Sequence, residues 1–230
     1  MTMIADNLQR VRARMEQACR ACGRDPASVT LLAVSKTFGA DAVRQAHAAG
    51  QTAFGENYIQ EAVDKMVAVA DLPLTWHCIG PIQGNKTRLV AGHFDWAHTV
   101  DRLKIAERLS VQRPAQRAPL QVCLQVNIDG GPNKSGVAPG QALALAREVA
   151  QLPGLTLRGL MTIPEPAPDF ATALAVHRQA RALFDDLCDA GLALDTLSMG
   201  MTADLEAAIQ AGSTMVRVGT AIFGGRAYLA

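Results

Sequence analysis

Between Thr30 and the C-terminus, short β-branched and aliphatic runs alternate eight times with stretches in which Ala, Leu and Val recur at helical spacing. The runs at 30–35, 52–55, 75–80, 95–98, 121–128, 157–163, 195–199 and 215–219 read as strands. The spacing predicts helices over 40–49, 57–70, 84–91, 101–112, 139–151, 169–190 and 203–211. Alternation of this kind implies a parallel sheet covered by helices, and eight units match a closed (β/α)₈ barrel of the α/β class. The second and fourth strands are weak, which leaves an open doubly wound sheet as the competing architecture. That alternative lacks its usual glycine-rich fingerprint, because Lys36-Thr37-Phe38-Gly39 follows the first strand. An extra helix, with Ile4, Leu8, Val11, Met15, Ala18 and Cys22 at helical intervals, precedes the barrel, and residues 1–230 read as a single domain. Asp101 is expected to cap one helix, Pro139 to sit in the first turn of another, and Gly50, Gly191 and Gly212 to end three more.

Charge excludes some function classes. Lysine and arginine total 22 against 21 acids, with no basic or acidic bias to suggest nucleic acid or a membrane surface. The N-terminal segment mixes acids with arginines and has no continuous apolar stretch, unlike a secretory or transit leader. Five cysteines spread over the chain do not form a disulfide framework, so a reducing cytoplasm is expected. Cys19 and Cys22 make one C-x-x-C inside the first predicted helix, without a second pair or a nearby histidine to complete a zinc site. Packing is the expected role of that pair, with metal binding or redox chemistry the minor alternative, and no metal-site residue is named.

Lys36 stands at the carboxyl end of an apolar strand. The two-residue period puts it on the side of Leu32 and Val34, pointing inward and toward the face where barrels of this type bind ligands. The chain has five lysines. Lys65 and Lys104 fall within helical patterns, Lys86 near a helix start and Lys134 in a glycine-rich loop, so Lys36 is the one expected to be fixed by a core. A desolvated lysine is the nucleophile that carbonyl chemistry uses to form a Schiff base. Ser198-Met199-Gly200-Met201-Thr202 after strand seven and Arg217-Val218-Gly219-Thr220 after strand eight combine glycines, hydroxyls and backbone N–H groups in the two loops that commonly hold phosphate. Arg217, between Val216 and Val218, is expected to face inward, where it needs an acceptor. A pyridine nitrogen is one candidate, and a carboxylate such as Glu56 or Asp101 is the other. Asn57 is placed either to touch a ligand ring or to cap the following helix. His77 reads as a hydrogen-bonded core residue, and Asn133-Lys134-Ser135-Gly136 as an exposed tight turn, the alternative for Lys134 being a second lysine near the barrel mouth that meets an aldehyde.

The segments "LLAVSKTF", "FGENYIQEA", "WHCIGPIQGNK", "VNIDGGPNKSG", "LRGLMTIPEP" and "LSMGMTADLEAAIQAGSTMVRVGTAIFGGR", in that order, resemble the pyridoxal 5′-phosphate homeostasis protein family, the small relatives of the alanine racemase barrel. The resemblance covers nearly the whole chain. It implies that Lys36 holds pyridoxal 5′-phosphate as an internal aldimine, that Arg217 faces the pyridine nitrogen, that Ser198, Gly219 and Thr220 hold the phosphate, and that Asn57 lies beside the ring. The sequence departs from the family's usual wording at Gly84, in place of a serine, at Cys78, in place of an aromatic residue, and at Thr202-Ala203, where the hydroxyl of a frequent serine survives as Thr202.

The function implied is to bind, buffer and deliver pyridoxal phosphate to apo-enzymes in intracellular vitamin B6 and amino-acid homeostasis, as a cytoplasmic monomer. The alternative is an amino-acid racemase, which needs a second base on the face opposite the lysine. In alanine racemases that base resembles a tyrosine from a further C-terminal domain. Here the eighth unit leads into "FGGRAYLA", and neither Tyr58 nor Tyr228 has a context resembling that role. The expectation is therefore a carrier without catalytic residues.

Overall fold

In the computed structural model, which describes residues 2–131 and 134–225, eight parallel strands close into a barrel in the order β1 to β8, with β8 returning to β1. The strands are β1 (Thr30–Val34), β2 (Ala53–Glu56), β3 (Thr75–Cys78), β4 (Trp96–Val100), β5 (Leu120–Val126), β6 (Leu155–Thr162), β7 (Thr196–Ser198) and β8 (Met215–Val218). Closure is set by a parallel register in which Leu32 lies opposite Arg217 and Ala33 opposite Val218. The open-sheet alternative is thereby excluded. Every predicted strand is present, including the two weak ones.

Between the strands lie α2 (Ala40–Ala48), α3 (Ile59–Ala68), α4 (Thr87–His93), α5 (Leu103–Gln112), α6 (Ala142–Val149), α7 (Phe170–Asp189) and α8 (Leu205–Gln210), with α1 (Met3–Ala21) before the barrel and the short α9 (Thr220–Phe223) after it. Helix α1 buries Ile4, Leu8, Val11, Met15, Ala18 and Cys19 against α2, α8 and α9. Each fully buried large aliphatic side chain contributes about 1.5–3 kcal/mol, well above any helix-propensity difference, so tertiary packing holds this helix. Cys19, not Cys22, completes the stripe, since Cys22 is already the C-cap residue and its Sγ bonds the Ala18 carbonyl.

The helix ends follow expectation with two exceptions. Gly50, Gly191 and Gly212 have φ of 83°, 91° and 102°, the left-handed values that stop a helix. Asp101 is not a cap: the N-cap of α5 is Arg102, without a side-chain bond, and Asp101 is drawn off into a 2.6 Å pair with the Arg102 guanidinium. Pro139 opens a short 3₁₀ turn, Pro139–Gln141, ahead of α6 rather than α6 itself. Among the described residues no helix is long and apolar enough to cross a membrane.

Alternation along the strands sorts side chains between two layers. Leu31, Ala33, Phe54, Trp76, Leu197, Val216 and Val218 join the large core between sheet and helices, while Leu32, Val34, Ile79 and Met215 form a separate apolar cluster inside the barrel. Polar groups fill much of the interior beyond that cluster, with His77, His98, Ser198 and Arg217 all buried there.

Candidate functional site

At the carboxyl ends of the strands lies a cavity of about 330 Å³, lined from the loops after β1, β2, β3, β6, β7 and β8. Lys36, Asn57, Arg217, Gly219 and Thr220 all contribute to its wall, beside Val34, Phe38, Ile79 and Ile163. Five of the six residues singled out from the sequence are thus brought to one place. The sixth, Ser198, is not.

Lys36 follows β1 by two residues and keeps the inward parity of Leu32 and Val34. It is half-buried, not fully enclosed. The next residue, Thr37, has φ of 67°, the one non-glycine positive φ among the described residues, and its N–H donates to Glu61 Oε1 at 3.1 Å. A β-branched residue does not adopt that conformation without support.

Asn57 does not cap α3. The N-cap position belongs to Tyr58, with no side-chain bond, and Asn57 Oδ1 is a buried acceptor without a hydrogen-bond partner at the cavity wall. The backbone of Asn57 runs so close to Gly80 that a Cβ there would overlap the Asn57 carbonyl, so glycine at 80 is what lets the loop after β2 lie against β3.

Arg217 faces inward as its neighbours imply, but finds no carboxylate. Its Nη1 donates to Ser198 O and Ser198 Oγ, both at 2.7 Å, and Nη2 donates to Thr162 O at 2.8 Å. Burial lowers its pKa to about 10, so the guanidinium stays cationic at neutral pH. Glu56, one of the two partners considered from sequence, turns to the helix side of the wall, and the other, Asp101, is held by Arg102.

Ser198 is fully buried at the end of β7, below the cavity floor. Its hydroxyl is engaged by Arg217 and by His98 Nδ1 at 3.0 Å, and His98 Nε2 lies 2.9 Å from His77 Nδ1. A guanidinium only donates, so Ser198 Oγ accepts from Arg217, and among its described contacts His98 Nδ1 is the one acceptor open to its own proton, which it therefore donates there. His98 is then protonated on Nε2 and donates to His77. One direction runs through the whole chain. Burial holds both imidazoles neutral, lowering His77 to about 3 and His98 well below its ordinary value. His77 is the core histidine expected, stacked on Trp96 with ring centroids 5.2 Å apart. His98 was not singled out from sequence, although its alternation with Trp96 in "DWAHTV" marks both for the same side.

The residues after β7 that reach the cavity are Met201, Thr202 and Ala203. Asp204 fixes that loop: its Oδ1 accepts from Met201 N at 2.7 Å and its Oδ2 lies 2.9 Å from His177 Nε2 of α7. Thr202 and Thr220 are both among the residues of the cavity wall.

Lys36 is not the one lysine fixed by a core. Lys65 is 6% exposed, with Nζ 2.6 Å from Glu56 Oε1 and 2.9 Å from Ser35 O. Burial raises the Glu56 pKa, opposed by Lys65 and by the Ser35 hydroxyl at 2.6 Å. Lys134 pairs with Asp129 at 3.1 Å and Glu165 at 3.3 Å and donates to the carbonyl of Ile163, a residue of the cavity wall. Asn133, Arg226 and Tyr228 lie outside the described residues. Tyr58 is half-exposed and is not part of the cavity wall. Of the departures from the family's usual wording, Gly84 offers its carbonyl to Arg108 and Thr87, and Cys78 is buried on the helix side with its thiol pushed up to about 12.

Residues 4–227 match the family model described as alanine racemase, N-terminal domain. A pyridoxal phosphate homeostasis protein of Pseudomonas aeruginosa is 60% identical over 228 residues, covering 99% of this chain and 98% of that protein. The protein of the same name from Escherichia coli is 53% identical over 231 residues, covering 99% of each. The solved structure of PipY from Synechococcus elongatus with PLP bound is 39% identical and superposes with a TM-score of 0.84 over 96% of this chain and 100% of that one.

Proposed function

The chain belongs to the alanine racemase N-terminal domain family, among its pyridoxal phosphate homeostasis proteins, and from that membership we propose that it binds pyridoxal 5′-phosphate at Lys36 and regulates its supply. The observation that carries the reading is the convergence of Lys36, Asn57, Arg217, Gly219 and Thr220 on one cavity at the carboxyl ends of the strands.

The residues fit the group. The cavity of about 330 Å³ is of the size small cofactors occupy, and the buried, unpartnered Asn57 Oδ1 supplies an acceptor in its wall. When bound, the cofactor supplies an aldehyde for reversible covalent attachment to an amine. Lys36 provides that amine. Thr202, Gly219 and Thr220 would hold the phosphate from the loops after β7 and β8, and Ser198 serves from beneath by orienting Arg217. The buried guanidinium, which only donates hydrogen bonds and has no acceptor of its own, would keep a ring nitrogen unprotonated, which weakens the ring as an electron sink. That favours holding and releasing the cofactor over carbanion chemistry. The racemase alternative is not favoured, since the relatives carry the homeostasis name and the tyrosine that is described, Tyr58, does not line the cavity.

The recipients in this reading are apo-enzymes that use the same cofactor, met by a monomer in the cytoplasm. Support for a reducing compartment comes from the sequence, in which five cysteines are spread over the chain without the spacing of a disulfide framework. The test is transfer from the loaded protein to an apo-enzyme in the presence of a scavenger that consumes free cofactor. A carrier reactivates the apo-enzyme despite the scavenger, and a passive binder does not. Sedimentation equilibrium checks the monomer.

A further inference from the structure

We propose that Glu61 is a positioning residue for Lys36, acting through the backbone of Thr37, an inference that rests on the role given to Lys36 above. Lys36 stands between two pinned neighbours. On one side Ser35 Oγ donates to Glu56 Oε1 at 2.6 Å, and Ser35 O accepts from Lys65 Nζ at 2.9 Å. On the other, Thr37 N–H donates to Glu61 Oε1 at 3.1 Å. Lys65 Nζ ties the two acids together, 2.6 Å from Glu56 and 3.5 Å from Glu61.

The placement follows from simple periods. Strand alternation sends Ser35 and Glu56 to the helix side of the wall, while Lys36 keeps the barrel side. Glu61 and Lys65, four residues apart in α3, share one face of that helix, and the face meets the turn after β1 from behind. The result is a clamp on the outer side of the barrel that holds the peptide units before and after the lysine on its inner side.

Thr37 is the part of the clamp that needs holding. Its φ of 67° is disfavoured for a branched side chain, and Phe38 N–H closes the turn onto Ser35 O at 3.0 Å. Without an acceptor for the Thr37 N–H, the peptide unit is free to return to an ordinary backbone region. Rotation at Thr37 re-aims the Lys36 side chain relative to the cavity. A surface carboxylate on α3 thus sets the direction of an amine on the far side of the sheet, and it touches neither the cavity nor any ligand in it.

The experiment compares Glu61→Ala and Glu61→Gln with the unaltered protein. The Glu61 side chain is 42% exposed, so both variants are expected to fold, and thermal unfolding of the ligand-free proteins checks this. Two probes are titrated: pyridoxal 5′-phosphate, and pyridoxine 5′-phosphate, which has the same ring and phosphate but an alcohol in place of the aldehyde. Glu61→Ala is expected to weaken pyridoxal phosphate about tenfold, the worth of one net hydrogen bond, and to leave pyridoxine phosphate within about twofold. Glu61→Gln, whose amide oxygen still accepts from Thr37 N–H, is expected to stay within about twofold for both probes. The proposal is overturned if Glu61→Ala binds the aldehyde normally, if it loses both probes equally, or if Glu61→Gln falls with it. Failure of the underlying reading has a different signature: the unaltered protein itself would not distinguish the aldehyde from the alcohol.

Discussion

Arg217 Nη1 lies 2.7 Å from Ser198 Oγ, and that contact joins the cavity to a hydrogen-bonded chain through the barrel interior. Removing the hydroxyl in Ser198→Ala leaves His98 Nδ1 as a buried acceptor without a donor, while Arg217 keeps the carbonyls of Ser198 and Thr162. The expected cost is about 1–3 kcal/mol of stability, measured by denaturant unfolding. Cofactor affinity should fall less than tenfold, since two of the three acceptors of Arg217 remain. A loss of affinity as large as that from removing the guanidinium would contradict this account of Ser198.

The two interior histidines give a pH signature. His77 is lowered from 6.5 to about 3 by burial, so between those values the unfolded chain binds a proton that the folded barrel excludes. Stability from this group is complete above 6.5 and is lost as pH falls through the window toward 3. Nitrogen chemical shifts should show both rings neutral and protonated on Nε2 at pH 5. Titration of either ring near 6.5 would refute the directed chain.

Behind the lysine, Lys65 and Glu56 form a buried pair, 4% and 0% exposed at the side chain. Lys65→Met strands the Glu56 carboxylate and should cost about 3–5 kcal/mol in chemical denaturation. Replacing both, as Lys65→Met with Glu56→Leu, should recover most of that loss, because an apolar pair of similar volume avoids the desolvation penalty. If the single and double variants were equally unstable, packing and not charge would be the cause.

What the sequence made legible was whatever follows from alternation along one strand. Leu32, Val34 and Lys36 share a side, as do Met215, Arg217 and Gly219, and both sets lie where a two-residue period puts them. Depth was harder to read. Ser198 has the right side but ends its strand below the cavity, and the ligand-level residues are those beyond the strand end, at 201–203. Lys65 was hidden for a different reason. Within its own helix it reads as a surface lysine, and only the fold brings Glu56 and Ser35, from β2 and the end of β1, to meet it. His98 has a local signal, but the sequence pattern ends the fourth strand at that residue, whereas β4 runs to Val100.

The central claim is that the Lys36 amine attaches the cofactor. Purified protein is loaded with pyridoxal 5′-phosphate, reduced with borohydride and digested, and the modified peptide is sequenced by mass spectrometry. The account predicts one stable adduct, on Lys36, together with loss of the yellow absorption band and of the adduct in Lys36→Ala. An adduct on Lys134 or another lysine with Lys36 unmodified, or an undiminished band in Lys36→Ala, would contradict it.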